Sequence, residues 1–218
     1  KKPSGSKDPF ATRRATIGLI RILIENKLSI DIKKYIKLSL SLYKIDDNET
    51  KVEILNFIET RLSIYFKEMG YDTKIQNAVS VGCEYNPYIF IKKNTILSKK
   101  IKTKKFIDFL NSYKRLHSLI LNKNIVSELP NENMFDSPEE VNLFKVICKF
   151  SDFIDTQDLN SSYQNSFNEL IKISRHINDF LNNIIVNSDD IKIKNNRLTL
   201  ISYCKLQLEK HTIFSEIL

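Results

Sequence analysis

Nine cations define the chemistry open to this chain. Lys92, Lys93, Lys99, Lys100, Lys102, Lys104 and Lys105 crowd one short stretch, and Lys114 and Arg115 follow it. Residues 85–124 hold ten Lys and Arg against the single Asp108, a net of +9, while residues 125–170 hold two against nine acidic residues, a net of −7. The whole chain carries +8, so this one block accounts for the entire excess. Such a block fits a polyphosphate partner, because each neutralised phosphate releases condensed counterions and makes binding salt-dependent. A solvated lysine face is the alternative reading, in a chain that uses Lys and Asn heavily. Tyr85, Tyr88 and Phe90 interleave with the block, where they could stack on unpaired bases or belong to the core.

Other reactive residue types are present without the spacing that catalysis needs. Four glycines cannot build a phosphate-cradling loop, and no GxSxG or HExxH occurs. His117, His176 and His211 are far apart, each within a predicted helix, where a packed or surface histidine is the plainer reading than a general base. Asp189 and Asp190 stand where a helix should start, and negative charge there is favoured by the helix dipole. Cys83, Cys148 and Cys204 lack CxxC or metal spacing, so they read as buried free thiols in a reducing cytoplasm. No signal peptide and no apolar run near ~20 residues appears, which also points to a cytoplasmic chain. The first residue is Lys1, and residues 1–7 read as a linker, so a piece of a longer protein is expected. The residues describe a binder, with no catalytic site, metal or cofactor of its own.

The elements that must present these cations are helices. With 218 residues, 42% hydrophobic, 28% charged and only four Gly and five Pro, the chain suits an all-α helical bundle and lacks the turn chemistry of a many-stranded sandwich. Asp8-Pro9 predicts a capped helix running to about Asn26. Further helices are predicted over Asp31 to Lys44, over Glu49 to Met69 with Gly70 as a left-handed stop, and from Asp72 to Gly82. Another starts at Asn86-Pro87. Over Lys104 to Asn124, the spacing of Phe106, Phe109, Leu110, Tyr113, Leu116 and Ile120 makes a core stripe, with Lys104, Asp108 and Arg115 opposite. Ser137-Pro-Glu-Glu140 combines an N-cap, a first-turn proline and a capping-box glutamate. Two last helices fit Ser161 to Val186, with a break at Arg175-His176 left open, and Asp189 to about Thr212. In the first helix Arg14, Gly18, Arg21 and Glu25 line one narrow edge while aliphatics wrap the rest. That helix therefore reads as buried nearly all round, with Gly18 admitting another backbone and Arg14 and Arg21 favouring interdomain or intersubunit pairing over an RNA grip.

Five stretches carry a family resemblance, in chain order. GSKDPFATRRATIGLIRILIENKLSIDI at residues 5–32, FIETRLSIYFKEMGYDTKIQNAV at 57–79, YKRLHSLI at 113–120, INDFLNNIIVN at 177–187 and NNRLTLIS at 195–202 resemble segments of the beta subunit of bacterial-type, tetrameric glycyl-tRNA synthetase. The family patterns are GxKDPFALRRAALGxxRIxxExxLxLDL, FxxxRLxxxxxEQGYxxDxIxAV, NKRVxNIL, VDAFFDxVMVM and NRLxLL. The resemblance implies a C-terminal fragment, with the end of an HD-like helical domain over residues 1–72 and a DALR-type anticodon-binding helical domain over 73–218. It implies tRNA for glycine and the alpha subunit of a two-alpha, two-beta enzyme as partners, and ATP and Mg²⁺ as needs of the holoenzyme rather than of this piece. Lys114 and Arg115 match the family's NKR and are the expected base-reading region, with the seven lysines of 92–105 on phosphates. Arg197 matches NRL and reads as a structural arginine, ahead of an RNA contact. The chain departs from the patterns at Tyr113, Ser118, Asn182 and Arg175-His176. A helical protein-interaction module, docking the basic block on an acidic 125–170 region, and a general nucleic-acid binder remain alternatives.

Overall fold

A computed structural model describes residues 8, 10–81, 83, 85–121, 129–156 and 159–218, the side chains of 159–162 excepted. Among them the chain forms nine α-helices and two short 3-10 turns, and no strand. The helices are α1 Thr12–Glu25, α2 Ile32–Leu42, α3 Asn48–Glu68, α4 Thr73–Val79, α5 Pro87–Lys100, α6 Lys104–Ile120, α7 Pro138–Thr156, α8 Leu159–Asn183 and α9 Ile191–Glu209. The 3-10 turns are Glu132–Met134 and Phe214–Ile217. Two compact units result, Lys1–Thr95 and Ile96–Leu218, dividing inside α5.

Capping chemistry places most of these boundaries. The side chains of Asp31, Asp47, Asp72 and Asp190 each accept backbone N–H bonds from the first turn they precede. Gly70 closes α3 at φ 82°, a left-handed conformation in which a Cβ is strained. The Ser137 capping box forms as its spacing predicts: Glu140 N donates to Ser137 Oγ at 3.3 Å, and Ser137 N donates to Glu140 Oε2 at 3.2 Å.

Some helix boundaries differ from expectation. Helix α1 starts at Thr12, because a turn closed by Ala11 N on Asp8 O at 3.1 Å puts Ala11 at φ 54°. Asp8 still caps from a distance, accepting from Arg13 N and Arg14 N at 3.3 Å each, while Pro9 lies outside the described residues. Helix α8 runs unbroken through Arg175 and His176. Helix α9 ends at Glu209, since the chain must leave the helix to bury His211 and Phe214, both fully inaccessible. Helix α4 ends at Val79 and α6 at Ile120, where Leu121 turns to extended ψ, both short of the predicted Gly82 and Asn124, which themselves lie outside the described residues.

In the first unit α3 is the hub, packed by α1 and α2. Only Ile20 and Leu23 of α1 are buried; Leu19 is 42% and Ile22 55% exposed. Within this unit, then, the expected burial nearly all round is not met, since α1 is covered along one stripe, mainly by α3. A Cβ on Gly18 would meet nothing within 4 Å, so no backbone of the described residues approaches it either. The second unit is a bundle in which α6 and α7 each pack on both α8 and α9. Phe106, Phe109, Tyr113 and Leu116 of α6 are wholly buried, and Phe214 closes onto the first three with ring centroids 6.2, 5.0 and 5.5 Å away. Each such side chain contributes about 1.5–3 kcal/mol through burial. That stripe holds the opposite face of α6 toward solvent.

Candidate nucleic-acid interface

The end of α5, the turn after it and the exposed face of α6 carry the cations of the basic block that belong to the second unit. Lys99, Lys102, Lys104, Lys105, Lys114 and Arg115 are exposed, and Lys100 is half-buried with Nζ 5.7 Å above the Phe167 ring. Lys99 and Lys100 end α5, where the dipole favours a cation. Thr103 makes the turn, its N and Oγ1 both donating to Lys100 O at 2.9 and 2.7 Å. In the first unit Lys92 is half-buried, while Lys93 is 2% exposed and donates through Nζ to Val81 O at 2.9 Å. Lys93 is thus a correction to the expected phosphate-binding set: its ammonium is spent on a carbonyl inside the unit, out of reach of a polyanion.

Arg115 is held in place from α8. Its Nη1 donates to Asn178 Oδ1 at 3.2 Å and its Nη2 to Asn182 Oδ1 at 2.9 Å. Asn178 is itself fixed, Nδ2 donating to Ser112 Oγ at 2.8 Å, and Ser112 lies 2.9 Å from Ser174 Oγ in the buried seam between α6 and α8. No carboxylate lies within 4.0 Å of Arg115 among the described residues. An exposed guanidinium fixed by neutral amide oxygens keeps its whole charge for an outside anion. Sequence reasoning named Arg115 but missed Asn178 and Ser112. The available signal was the four-residue spacing of Asn178 and Asn182 on one helix face.

The other singled-out residues point elsewhere. Arg197, on α9, donates from Nε to Glu140 Oε1 at 3.0 Å, from Nη2 to Asp136 Oδ1 at 2.6 Å and from Nη1 to Ile185 O at 3.0 Å. Burial works against its charge, but Glu140 and Asp136 more than offset this and hold its pKa above the ordinary value. Asn196 beside it pairs twice with the Asn131 backbone at 2.8 and 3.0 Å, tying the loop before α7 to α9. Arg14 and Arg21 have side chains 76% and 60% exposed, with Asp8 and Glu25 at 3.6 and 3.4 Å. Phe90 is in the core, stacked on Phe66 at 4.7 Å; Tyr88 is half-buried, and Tyr85 lies under Lys33 Nζ at 5.6 Å.

The histidines and cysteines lie in packed surroundings among the described residues. His211 is buried between Ser166 Oγ and Thr212 Oγ1 at 2.5 and 2.9 Å and stacks on Tyr163 at 4.4 Å. His117 stacks on Tyr113 at 5.9 Å. Burial pushes the Cys148 and Cys204 thiols up. No group of three or more His, Cys, Asp or Glu is placed to hold a metal ion among the described residues. None of the described helices is long and apolar enough to cross a membrane.

Known proteins match this arrangement in two blocks. Residues 1–81 match the family profile described as glycyl-tRNA synthetase beta subunit, and residues 109–212 match the DALR anticodon binding domain, which covers the α6–α9 bundle. The glycine–tRNA ligase beta subunit of Rickettsia prowazekii (strain Madrid E) is 37% identical over 207 residues, 91% of this chain and 29% of that protein. That of Rickettsia canadensis is 35% identical over 206 residues, 94% of this chain and 30% of the relative. In Persephonella marina the identity is 29% over 232 residues, 99% of this chain and 33% of the relative. The chain thus spans about a third or less of the relatives it matches. Two domain profiles in order along the chain, together with relatives of one description that cover nearly all of it, place this chain in the family of glycyl-tRNA synthetase beta subunits.

Proposed function

We propose that this chain is the tRNA-binding C-terminal part of a glycine–tRNA ligase beta subunit, and that its helical bundle binds the anticodon region of the glycine tRNA. The observation carrying this reading is the coincidence of the anticodon-binding profile, residues 109–212, with the bundle that fixes Arg115 and exposes Lys114 beside it. Lys99, Lys102, Lys104 and Lys105, on the end of α5, the turn after it and the start of α6, supply steering charge and phosphate contacts. Phosphate contacts position the RNA, and contacts to unstacked bases specify it. In this reading the anticodon-binding part begins near residue 73. Residues 1–72, with Arg14 and Arg21 exposed on α1, belong to the body of the subunit and to its contacts with other protein. Glycine activation, with ATP and Mg²⁺, belongs to the cytoplasmic two-alpha, two-beta holoenzyme, and no step of it is assigned to side chains described here.

A filter-binding competition tests the reading. It compares glycine tRNA, the same tRNA with an altered anticodon, and an unrelated tRNA, at two salt concentrations. The expected result is salt-sensitive binding with preference for the native anticodon, and loss of binding when Lys114 and Arg115 are both changed to Glu. Equal binding of all three RNAs would leave a general nucleic-acid binder. A stable protein complex indifferent to tRNA would leave the interaction-module reading.

A further inference from the structure

Helix α8 serves two neighbours with one polar face. Asn178 and Asn182 hold Arg115 of α6, while Asn183, the next residue, donates from Nδ2 to Glu139 Oε1 of α7 at 3.0 Å. On the α7 side a cavity of about 170 Å³ opens, lined by Pro138, Glu139, Asn142, His176, Asp179 and Asn183. The side chains of Asn142, which is exposed, and His176, which is half-buried, have no hydrogen-bond partner among the described residues.

The lining discriminates between ligands. A phosphate is disfavoured, since Glu139 and Asp179 bring two carboxylates to the wall and the one cation paired with either among the described residues, Arg175, meets Asp179 at 3.9 Å from outside the lining. A flat, neutral base edge is suited to it. Asn183 already occupies Glu139 Oε1, which leaves Oε2 as the acceptor this residue offers. One carboxylate oxygen matches one exocyclic amino group, as on cytosine N4 or adenine N6. Guanine's paired donors call for both oxygens, and the carbonyls flanking the uracil N–H repel a carboxylate. The Asn142 amide carries a donor and an acceptor for the rest of the edge, and the His176 ring gives a flat surface to stack on.

We infer that this cavity receives a single unstacked base bearing an exocyclic amino group, cytosine or adenine. The amino group lies on Glu139 Oε2, the base edge on Asn142, and an adjoining phosphate on Arg115. Consecutive residues of α8, Asn182 and Asn183, anchor the two halves of the site. The inference rests on the anticodon-binding reading above and names the part of that surface that reads a base.

Its test uses the full-length protein in its native assembly, with glycine tRNAs in which each anticodon base is replaced in turn by the other three. Wild type, Glu139→Gln and Asn142→Tyr are compared by filter-binding competition. Wild type is expected to prefer cytosine or adenine at one position by about tenfold over uracil and guanine, and which of the two it prefers identifies the base. Glu139→Gln, whose amide can also donate to a carbonyl, reduces that preference to under about threefold at that position alone, with the salt dependence unchanged. Asn142→Tyr fills the cavity and removes the preference at the same position. Wild-type discrimination that both variants retain overturns the pocket and leaves the anticodon reading intact. Equal binding of every tRNA by wild type overturns the anticodon reading, and the pocket with it.

Discussion

Arg197 and Glu140 form a buried pair whose halves depend on each other. The Arg197 side chain is 9% exposed and that of Glu140 is 0% exposed, so Arg197→Met strands a carboxylate among α7, α9 and the loop before α7. The expected loss is about 3–5 kcal/mol in urea unfolding, and Arg197→Met/Glu140→Leu should lose less than Arg197→Met alone, because a stranded charge is worse than an absent pair. A second residue-level prediction concerns acid. Glu209 accepts from Tyr113 Oη at 2.6 Å, Ser215 Oγ at 2.7 Å and Lys205 Nζ at 2.8 Å. Burial raises its pKa, but the bonds from Lys205, Tyr113 and Ser215 together bring it below the ordinary 4.5. A depressed folded-state pKa contributes stability that is present above the unfolded value and lost as pH falls through the folded one. Thermal melting should therefore weaken below pH 4.5, and Glu209→Gln should be less stable at neutral pH, by about 1–3 kcal/mol, with a shallower acid slope. The arginine at NRL was visible in the sequence, but its partners Asp136 and Ile185 O lie 61 and 12 residues away. No local pattern encodes such a pairing.

At the scale of the helix, local chemistry was legible wherever the signal sits within one turn. The Asp72 cap of α4, the acidic start of α9 and the Ser137 box were read from short motifs, whereas the Asp31 and Asp47 caps of α2 and α3 were not, and Ser137→Ala should cost about 1 kcal/mol in chemical denaturation. The start of α1 was misread because the Ala11 turn displaces it beyond the Asp8-Pro9 signal. The two described glycines make opposite predictions. Gly70→Ala should destabilise by about 1 kcal/mol or more, its φ of 82° being unfavourable to a side chain. Gly18 sits inside α1 with open space where a Cβ would stand, so Gly18→Ala should stabilise by about 0.5–1 kcal/mol. A loss at Gly18 in the full-length protein, with a gain in this chain alone, would place another backbone against α1.

For the whole molecule the governing quantity is charge on a rigid face. Changing Lys102, Lys104 and Lys105 to Gln should weaken tRNA binding without altering anticodon preference, and should lower the slope of log K against log salt by about 0.7–0.9 for each phosphate that is no longer neutralised. Composition and periodicity by themselves determined an all-α chain, the core stripe of α6 and the basic character of residues 85–124, since each is a property of neighbours along the chain. Tertiary structure alone decided which cations are available. Lys93 went inward to a carbonyl, Arg197 was enclosed by carboxylates, and Arg115 was fixed on two amide oxygens that leave its charge uncompensated. A lysine's or arginine's chemistry depends on desolvation and on partners brought together by packing, and these residues share no local pattern before the helices meet.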